Sequence, residues 1–269
     1  MKKQPLLLLL LILAIPALSQ DKISSEFVID KFLEAIGGRD RMLNLQTRVE
    51  KTKLSNYGGQ GGVFNGDPKI TSQTIYYQTP DLFLEHSFST KGNYHTETVL
   101  FKREKCSWYY RSNEQAILFF DPEPIKFEKD FPRTYFLEPF NLKAEKYAFE
   151  EDGMYRIDFR DHRQDGGYQS VYIDKETFLP TKRTYVTAST MTRWTFIYED
   201  YQTIEGFTEP RTISLFGGGE LFMTIEIEEI SYNVNLNDRL FEAPVPCLSG
   251  ESIPLEVPYY LPKAVVEEN

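Results

Sequence analysis

The 269-residue chain carries 30 Lys and Arg against 40 Asp and Glu, and 14% of it is aromatic. Its net charge of −10 repels nucleic acid and anionic membrane surfaces at long range, which excludes both as electrostatic partners. The length suits one all-β domain or two small ones, and no linker-like shift in composition and no internal repeat argues for two.

The first nineteen residues read as an export signal. Lys2 and Lys3 form a basic start, Leu6–Ile15 an apolar stretch, and Ala17-Leu18-Ser19 a small-x-small cleavage site before Gln20. The apolar stretch is short for a membrane span, and an uncleaved signal anchor is the alternative reading. No Cys stands near the cleavage site, so the signal is not of the lipoprotein type. The expected mature protein, with 28 basic and 40 acidic residues and a net charge of −12, is periplasmic or secreted and is not an integral membrane protein after cleavage.

Ser24 or Ser25 can cap a helix carrying Phe27, Val28, Phe32 and Ile36 that ends at Gly37-Gly38. A second short helix, Asp40 to Leu45, precedes a strand over Thr47–Leu54. Gly58 to Gly62 lacks the Lys-Ser/Thr of a phosphate loop and reads as a hairpin connection. Strands follow at Ile70–Gln78, Leu82–Ser89, Thr96–Lys102 and Ser107–Arg111. Over Asp121–Glu145, Pro122, Pro124, Pro132 and Pro139 forbid a long helix, yet Phe127, Phe131, Phe136 and Phe140 are too apolar for solvent. This stretch is expected to be an irregular lid over an apolar surface.

Strands return at Lys146–Phe149, Met154–Asp161 and Tyr168–Asp174, and Gln169–Pro244 reads as an antiparallel meander. Trp194, Phe196 and Tyr198 alternate with polar residues, as do Leu221, Met223, Ile225 and Ile227, which predicts strands with one apolar and one wet face. Turns are expected at Asp174-Lys175-Glu176, Glu205-Gly206 and Gly217-Gly218-Gly219. Glu229 before Ile230 breaks the alternation and predicts a bulge. A tail over residues 245–269, rich in Pro, should be extended and mostly without ladder partners.

Side chains that could carry chemistry are sparse. His86 and His95 can face each other across a hairpin, the one arrangement suggestive of a metal, but ordinary strand histidines are the expected reading, as for His162. Glu226, Glu228 and Glu229 can supply an acid–base pair, or form the solvated face of an amphipathic strand, which alternation alone predicts. Cys106 and Cys247 can bridge in an exported chain or remain two buried thiols. No metal, cofactor or catalytic residue is expected.

Phe32-Leu33-Glu34-Ala35-Ile36-Gly37-Gly38-Arg39-Asp40-Arg41-Met42 resembles the helix, Gly-Gly, helix opening of bacterial outer-membrane lipoprotein-sorting (LolA-like) proteins. Tyr172 to Pro180 looks like their strand, Asp turn, Leu-Pro pattern, and Tyr198 to Tyr201, Gly206, Pro210 and Asn235 to Pro244 continue it. The likeness runs from about Ser25 to Pro244. It implies a mainly β chain, a curved antiparallel sheet or incomplete β-barrel over residues 20–244, with short helices and a loop covering the concave side. It also implies a non-catalytic protein that holds a lipid or lipoprotein acyl chain there. Trp194, Phe196, Tyr198, Leu221, Met223, Ile225 and Ile227 are the expected apolar lining, and Phe127, Phe131, Phe136 and Phe140 the expected lid. The alternative is a cell-envelope interaction or lipid-sensing module with a filled core, whose partner is an envelope protein.

Overall fold

The computed structural model describes residues 23–58, 68–78, 82–91, 94–103, 106–111, 116–120, 143–161, 167–186, 191–241 and 252–254. The expected lid, Asp121–Phe140, lies outside the described residues, as do the export signal, His162 and Cys247.

β1 (Ile23–Ser24) leads into α1 (Ser25–Ala35), and α2 (Arg39–Leu43) follows a Gly-Gly corner. A first meander contains β2 (Thr47–Asn56), β3 (Lys69–Gln78), β4 (Leu82–Lys91), β5 (Tyr94–Arg103), β6 (Cys106–Arg111) and β7 (Ala116–Phe120). After the short β8 (Lys143–Ala144), a second meander contains β9 (Tyr147–Glu151), β10 (Met154–Asp161), β11 (Gly167–Asp174), β12 (Pro180–Val186), β13 (Arg193–Ile204), β14 (Phe207–Gly217) and β15 (Glu220–Tyr232). A 3-10 turn, Asp238–Phe241, and β16 (Ser252–Pro254) complete the elements. The strands form one antiparallel sheet in the order β1-β9-β10-β11-β12-β13-β14-β15-β2-β3-β4-β5-β6-β7-β16, with β8 beside β10. The sheet does not close into a barrel. Its two meanders join where β15 pairs with β2 along Met223↔Asn56 to Tyr232↔Arg48.

Within the tail, Ser252–Pro254 pairs with β7. Pro254 is tolerated there because an edge strand leaves one row of backbone groups outside the ladder.

Register shifts at Tyr172/Ile173, Leu215/Phe216 and Ile227/Glu229 break the ladder. The third is the bulge that Glu229 announced. Each inserts an extra residue and bends its strand, so a long sheet curls. The β14–β15 hairpin turns on Gly218 and Gly219 at φ 61° and 95°, a pair of left-handed positions that glycine adopts without strain. The Asp174 turn is fastened by its own side chain, which accepts from the Glu176 and Thr177 N–H groups at 3.0 and 2.8 Å.

α1 and α2 cover one face of the second meander, here called the inner face. Val28, Phe32, Leu33 and Ile36 are buried against Ile157, Phe159, Val171 and Ile173 of β10 and β11, and the same core continues through β13–β15. Burying each such side chain contributes about 1.5–3 kcal/mol. Phe27 departs from the expected apolar stripe: it is exposed and meets Phe178 edge-on at 6.5 Å. The helical corner is locked to the β13–β14 turn. Thr208 N–H donates to the Ile36 carbonyl at 3.0 Å, and Arg41 Nη1 donates to the Glu205 carbonyl at 3.2 Å. Gly37, at φ 123°, comes so close to this turn that a Cβ would lie 2.3 Å from the Gly206 oxygen.

Candidate ligand-binding face

The inner face changes character along its strands. Near the helices it is closed. Phe196, Tyr198, Ile225 and Ile227, four of the seven expected lining residues, are buried there in the common core. Towards the β14–β15 hairpin the helices no longer contribute, and half-buried apolar side chains remain. Trp194 lies across Gly217, where a Cβ would come within 2.9 Å of its ring, so this glycine makes room for the indole. Phe222 meets Trp194 edge-to-face at 5.2 Å, and Tyr185, opposite Trp194 on β12, stacks on Phe196 at 6.1 Å. Met223 and Leu54 complete a shelf of partly buried apolar groups beside the core.

Leu221 is not part of it. The register shift after Leu215 leaves Phe222 as the extra residue and pairs Leu221 with Phe216. This turns Leu221 to the outer face, where it is 37% exposed. Strict alternation therefore misplaces Leu221 and misses Phe222. The run Leu221-Phe222-Met223 carried the signal, since three consecutive apolar residues cannot all point one way in a regular strand.

Charged groups are buried on the same face. Tyr232 pairs with Arg48 and Ile230 with Glu50 across the β15–β2 junction, beside Glu209 of β14. Arg48 Nη2 donates to Glu209 Oε2 at 2.6 Å, and its Nη1 pairs with Glu50. Tyr232 donates its phenolic proton to Glu209 Oε1 at 2.6 Å while its ring packs on Phe207 at 4.2 Å. Burial acts against the charge on Arg48, but Glu209 and Glu50 outweigh it and hold the guanidinium protonated above its ordinary value. Burial raises the Glu50 pKa, and the Glu209 charge adds to the rise, against the opposing pull of Arg48 and Arg211. The Tyr232 phenol is raised as well, by burial and then by the Glu209 charge. Arg48 Nε and Glu50 Oε1 are buried without a hydrogen-bond partner among the described residues. Arg183 is buried too, with its guanidinium over Phe196 at 4.9 Å and Tyr185 at 5.5 Å. Alternation did not identify these groups, because each occupies a core position with a polar residue.

Beyond β2 the inner face carries Ile75 and the buried Tyr77 opposite Glu50 and Arg48, and turns polar in the rows that follow. Register places Thr52, Gln73 and Ser87 side by side across β2, β3 and β4, and Thr71 beside Ser89 in the next row. Thr52, Gln73, Ser87 and Ser89 are buried. Thr52 Oγ1 donates to Gln73 Oε1 at 3.3 Å, Ser87 Oγ donates to Glu85 at 2.8 Å, and Thr71 and Ser89 share a hydrogen bond of 2.8 Å.

The other candidate groups fall elsewhere. His86 is opposite Val99 and His95 opposite Thr90, so they do not face each other across the β4–β5 hairpin. Four positions of strand, about 13 Å, separate their rows. Among the described residues, no three His, Cys, Asp or Glu lie close enough to hold a metal ion. On the outer face Glu226 pairs with Lys53 at 3.1 Å and Glu229 with Lys51 at 2.5 Å, and Glu228 is exposed. These carboxylates form the solvated face that alternation predicted. Cys106 opens β6 opposite Arg103, but the pairing expected with Cys247 lies outside the described residues. Phe127, Phe131, Phe136 and Phe140, expected to form the lid, lie outside them as well. No described helix is long and apolar enough to cross a membrane.

No protein-family model and no curated protein sequence matches the chain. Solved structures do. An outer membrane lipoprotein-sorting protein domain from Vibrio parahaemolyticus superposes with a TM-score of 0.54 at 10% identity, over 80% of this chain and 94% of that one. A LolA superfamily protein from Nitrosomonas europaea also gives 0.54 at 10% identity, over 82% of this chain and 98% of that one. A domain-of-unknown-function family protein from Desulfovibrio piger gives 0.53 at 15% identity, over 82% and 98%. The chain has the LolA-like fold.

Proposed function

We propose that this protein is an exported, non-catalytic binding protein that holds the acyl chain of a lipid or lipoprotein against the inner face of its sheet. One observation carries the reading. Trp194, Phe222, Met223, Tyr185 and Leu54 remain half-buried beside the part of the face that the helices close, and they continue directly into the core. An alkyl chain lying on this shelf loses about 0.8 kcal/mol of unfavourable hydration per buried methylene, so a partly buried chain binds firmly without a charged anchor. The lipoprotein-sorting name of one structural neighbour and the LolA name of another support the same class of ligand.

Trp194 is one of two tryptophans and provides its own reporter. Titration with a fluorescent fatty acid should quench indole emission, and Trp194→Phe should remove most of the response while preserving uptake. Native mass spectrometry of protein purified from a membrane-containing lysate should show co-purifying lipid. Absence of both lipid and uptake would refute the proposal.

A second reading, an envelope interaction or lipid-sensing module with a filled core, draws support from Val28, Phe32, Leu33 and Ile36, which leave no exposed apolar surface beneath the helices. Removing residues 255–269 separates the two. Loss of a captured envelope partner with fatty-acid uptake unchanged favours the tail as a docking element.

A further inference from the structure

We infer that the apolar shelf takes an unbranched acyl chain of about 15 carbons lying across the strands, its length set by what stands at the two ends of the shelf. This rests on the acyl-binding reading above and specifies the ligand of that site. Neighbouring strands from β12 to β2 form one apolar band: Tyr185 on β12, Trp194 on β13, Phe222 and Met223 on β15, and Leu54 on β2. On β14 the band crosses a glycine. Trp194 pairs with Gly217 and lays its indole over that bare backbone, where a Cβ would come within 2.9 Å, to meet Phe222 at 5.2 Å.

The band is narrow along the strands. Towards the helices, Phe196 and Ile225, the next inward residues of β13 and β15, are buried in the core. In the other direction the exposed Arg193 and Glu220 open these two strands. A chain directed along one strand would leave the apolar surface after one or two residues. A chain directed across the strands stays on it.

Both ends of the band are defined. Beyond Tyr185 the row continues into Gln169 and Phe159, which are buried and offer no surface. Beyond Leu54 it meets Thr71, whose hydroxyl shares a hydrogen bond of 2.8 Å with Ser89, and Lys69 stands opposite Asn56. A methylene laid on these groups would cover polar atoms and lose the gain of its own burial. β12 and β2 are four strand spacings apart, about 19 Å. Carbon–carbon bonds of about 1.5 Å at a near-tetrahedral angle advance an extended chain by about 1.25 Å per carbon, so about 15 carbons match the band.

The experiment uses straight-chain saturated fatty acids of roughly 8 to 22 carbons, each below its solubility limit, in competition with a bound fluorescent fatty acid. With one side of the chain buried, affinity should rise about twofold per methylene, and the rise should end between about 13 and 17 carbons. Thr71→Val keeps the shape of the side chain but removes its hydroxyl. It adds one strand to the band and should move the end of the rise about four carbons further. A rise that runs unbroken to the longest acid, one that ends outside that window, or an end point that Thr71→Val leaves in place overturns this inference while acyl binding stands. Failure of every acid to displace the fluorescent ligand overturns both.

Discussion

Arg48→Met tests whether the buried charges on the inner face form one electrostatic unit. Arg48, Glu50 and Glu209 are 4%, 3% and 3% exposed, and among the described residues Arg48 is the one cation bonded to both carboxylates. Methionine fills a similar volume but removes the charge. Glu50 can take a proton, a step that burial already favours. Glu209 is then left with the Tyr232 hydroxyl as its one side-chain donor among the described residues. Breaking a buried pair by deleting one partner costs about 3–5 kcal/mol, and that is the expected loss at neutral pH. Glu50→Gln retains the shape and an oxygen that accepts from Arg48, so it should change stability by less than about 1 kcal/mol. Urea unfolding followed by far-UV circular dichroism gives both values, provided the slope is unchanged. A cost below about 1 kcal/mol for Arg48→Met, or equal costs for the two variants, would show that the groups do not act together.

The same cluster sets a pH dependence. Glu50 binds its proton more tightly folded than unfolded, so its contribution is present below the unfolded value and is lost as pH rises through the raised folded one. The stability of Glu50→Gln relative to the natural protein should therefore rise with pH across that window. Asp174 acts in the opposite sense: the Thr177 N–H lowers its pKa, so its contribution disappears on acidification. Leu221→Ser should alter stability by less than about 0.5 kcal/mol, whereas Phe222→Ser should cost about 1–2 kcal/mol and weaken fatty-acid uptake. Equal effects would contradict the register shift between them. Gly37→Ala meets both a left-handed backbone and the Gly206 oxygen, and should lower the thermal midpoint by about 4–8 °C in a calorimetric scan.

Much of this architecture was legible in the residues. Alternation located β13 and β15, because one wet and one apolar face impose period two. Gly218-Gly219 and the Asp174 turn were readable from backbone and side-chain chemistry that acts within four residues. β10 was expected over its observed span, Met154–Asp161. The expected reading failed where the determinant was not local. β7, Ala116–Phe120, is apolar without alternation, and β1 and β8 each have two residues, too few for any period. Whether Leu221 or Phe222 turns inward depends on the register of β15 against β14. The polar side chains of the inner face were missed for a similar reason: Arg48 and Glu50 look like the wet face of a strand until Glu209 and Tyr232 are brought beside them. The helices were anticipated, but which end of the sheet they close was not.

The junction of the two meanders also bears on when the protein can fold. Thr47 and Val234 share a hydrogen bond across 187 positions of chain, whereas most other neighbouring strands are consecutive in sequence. In a chain made from its N-terminus, β2 appears early and waits for β15, with one edge bare. Contacts of such long range are slow to form, because the intervening chain must be ordered first. A circular permutant that starts at β8 and ends at β7, with the old termini joined by a flexible linker, would carry β15 and β2 much closer in sequence and turn the long sheet into a nearly sequential one. It should refold faster than the natural chain at similar stability, placing the kinetic barrier of this fold in the order of its strands.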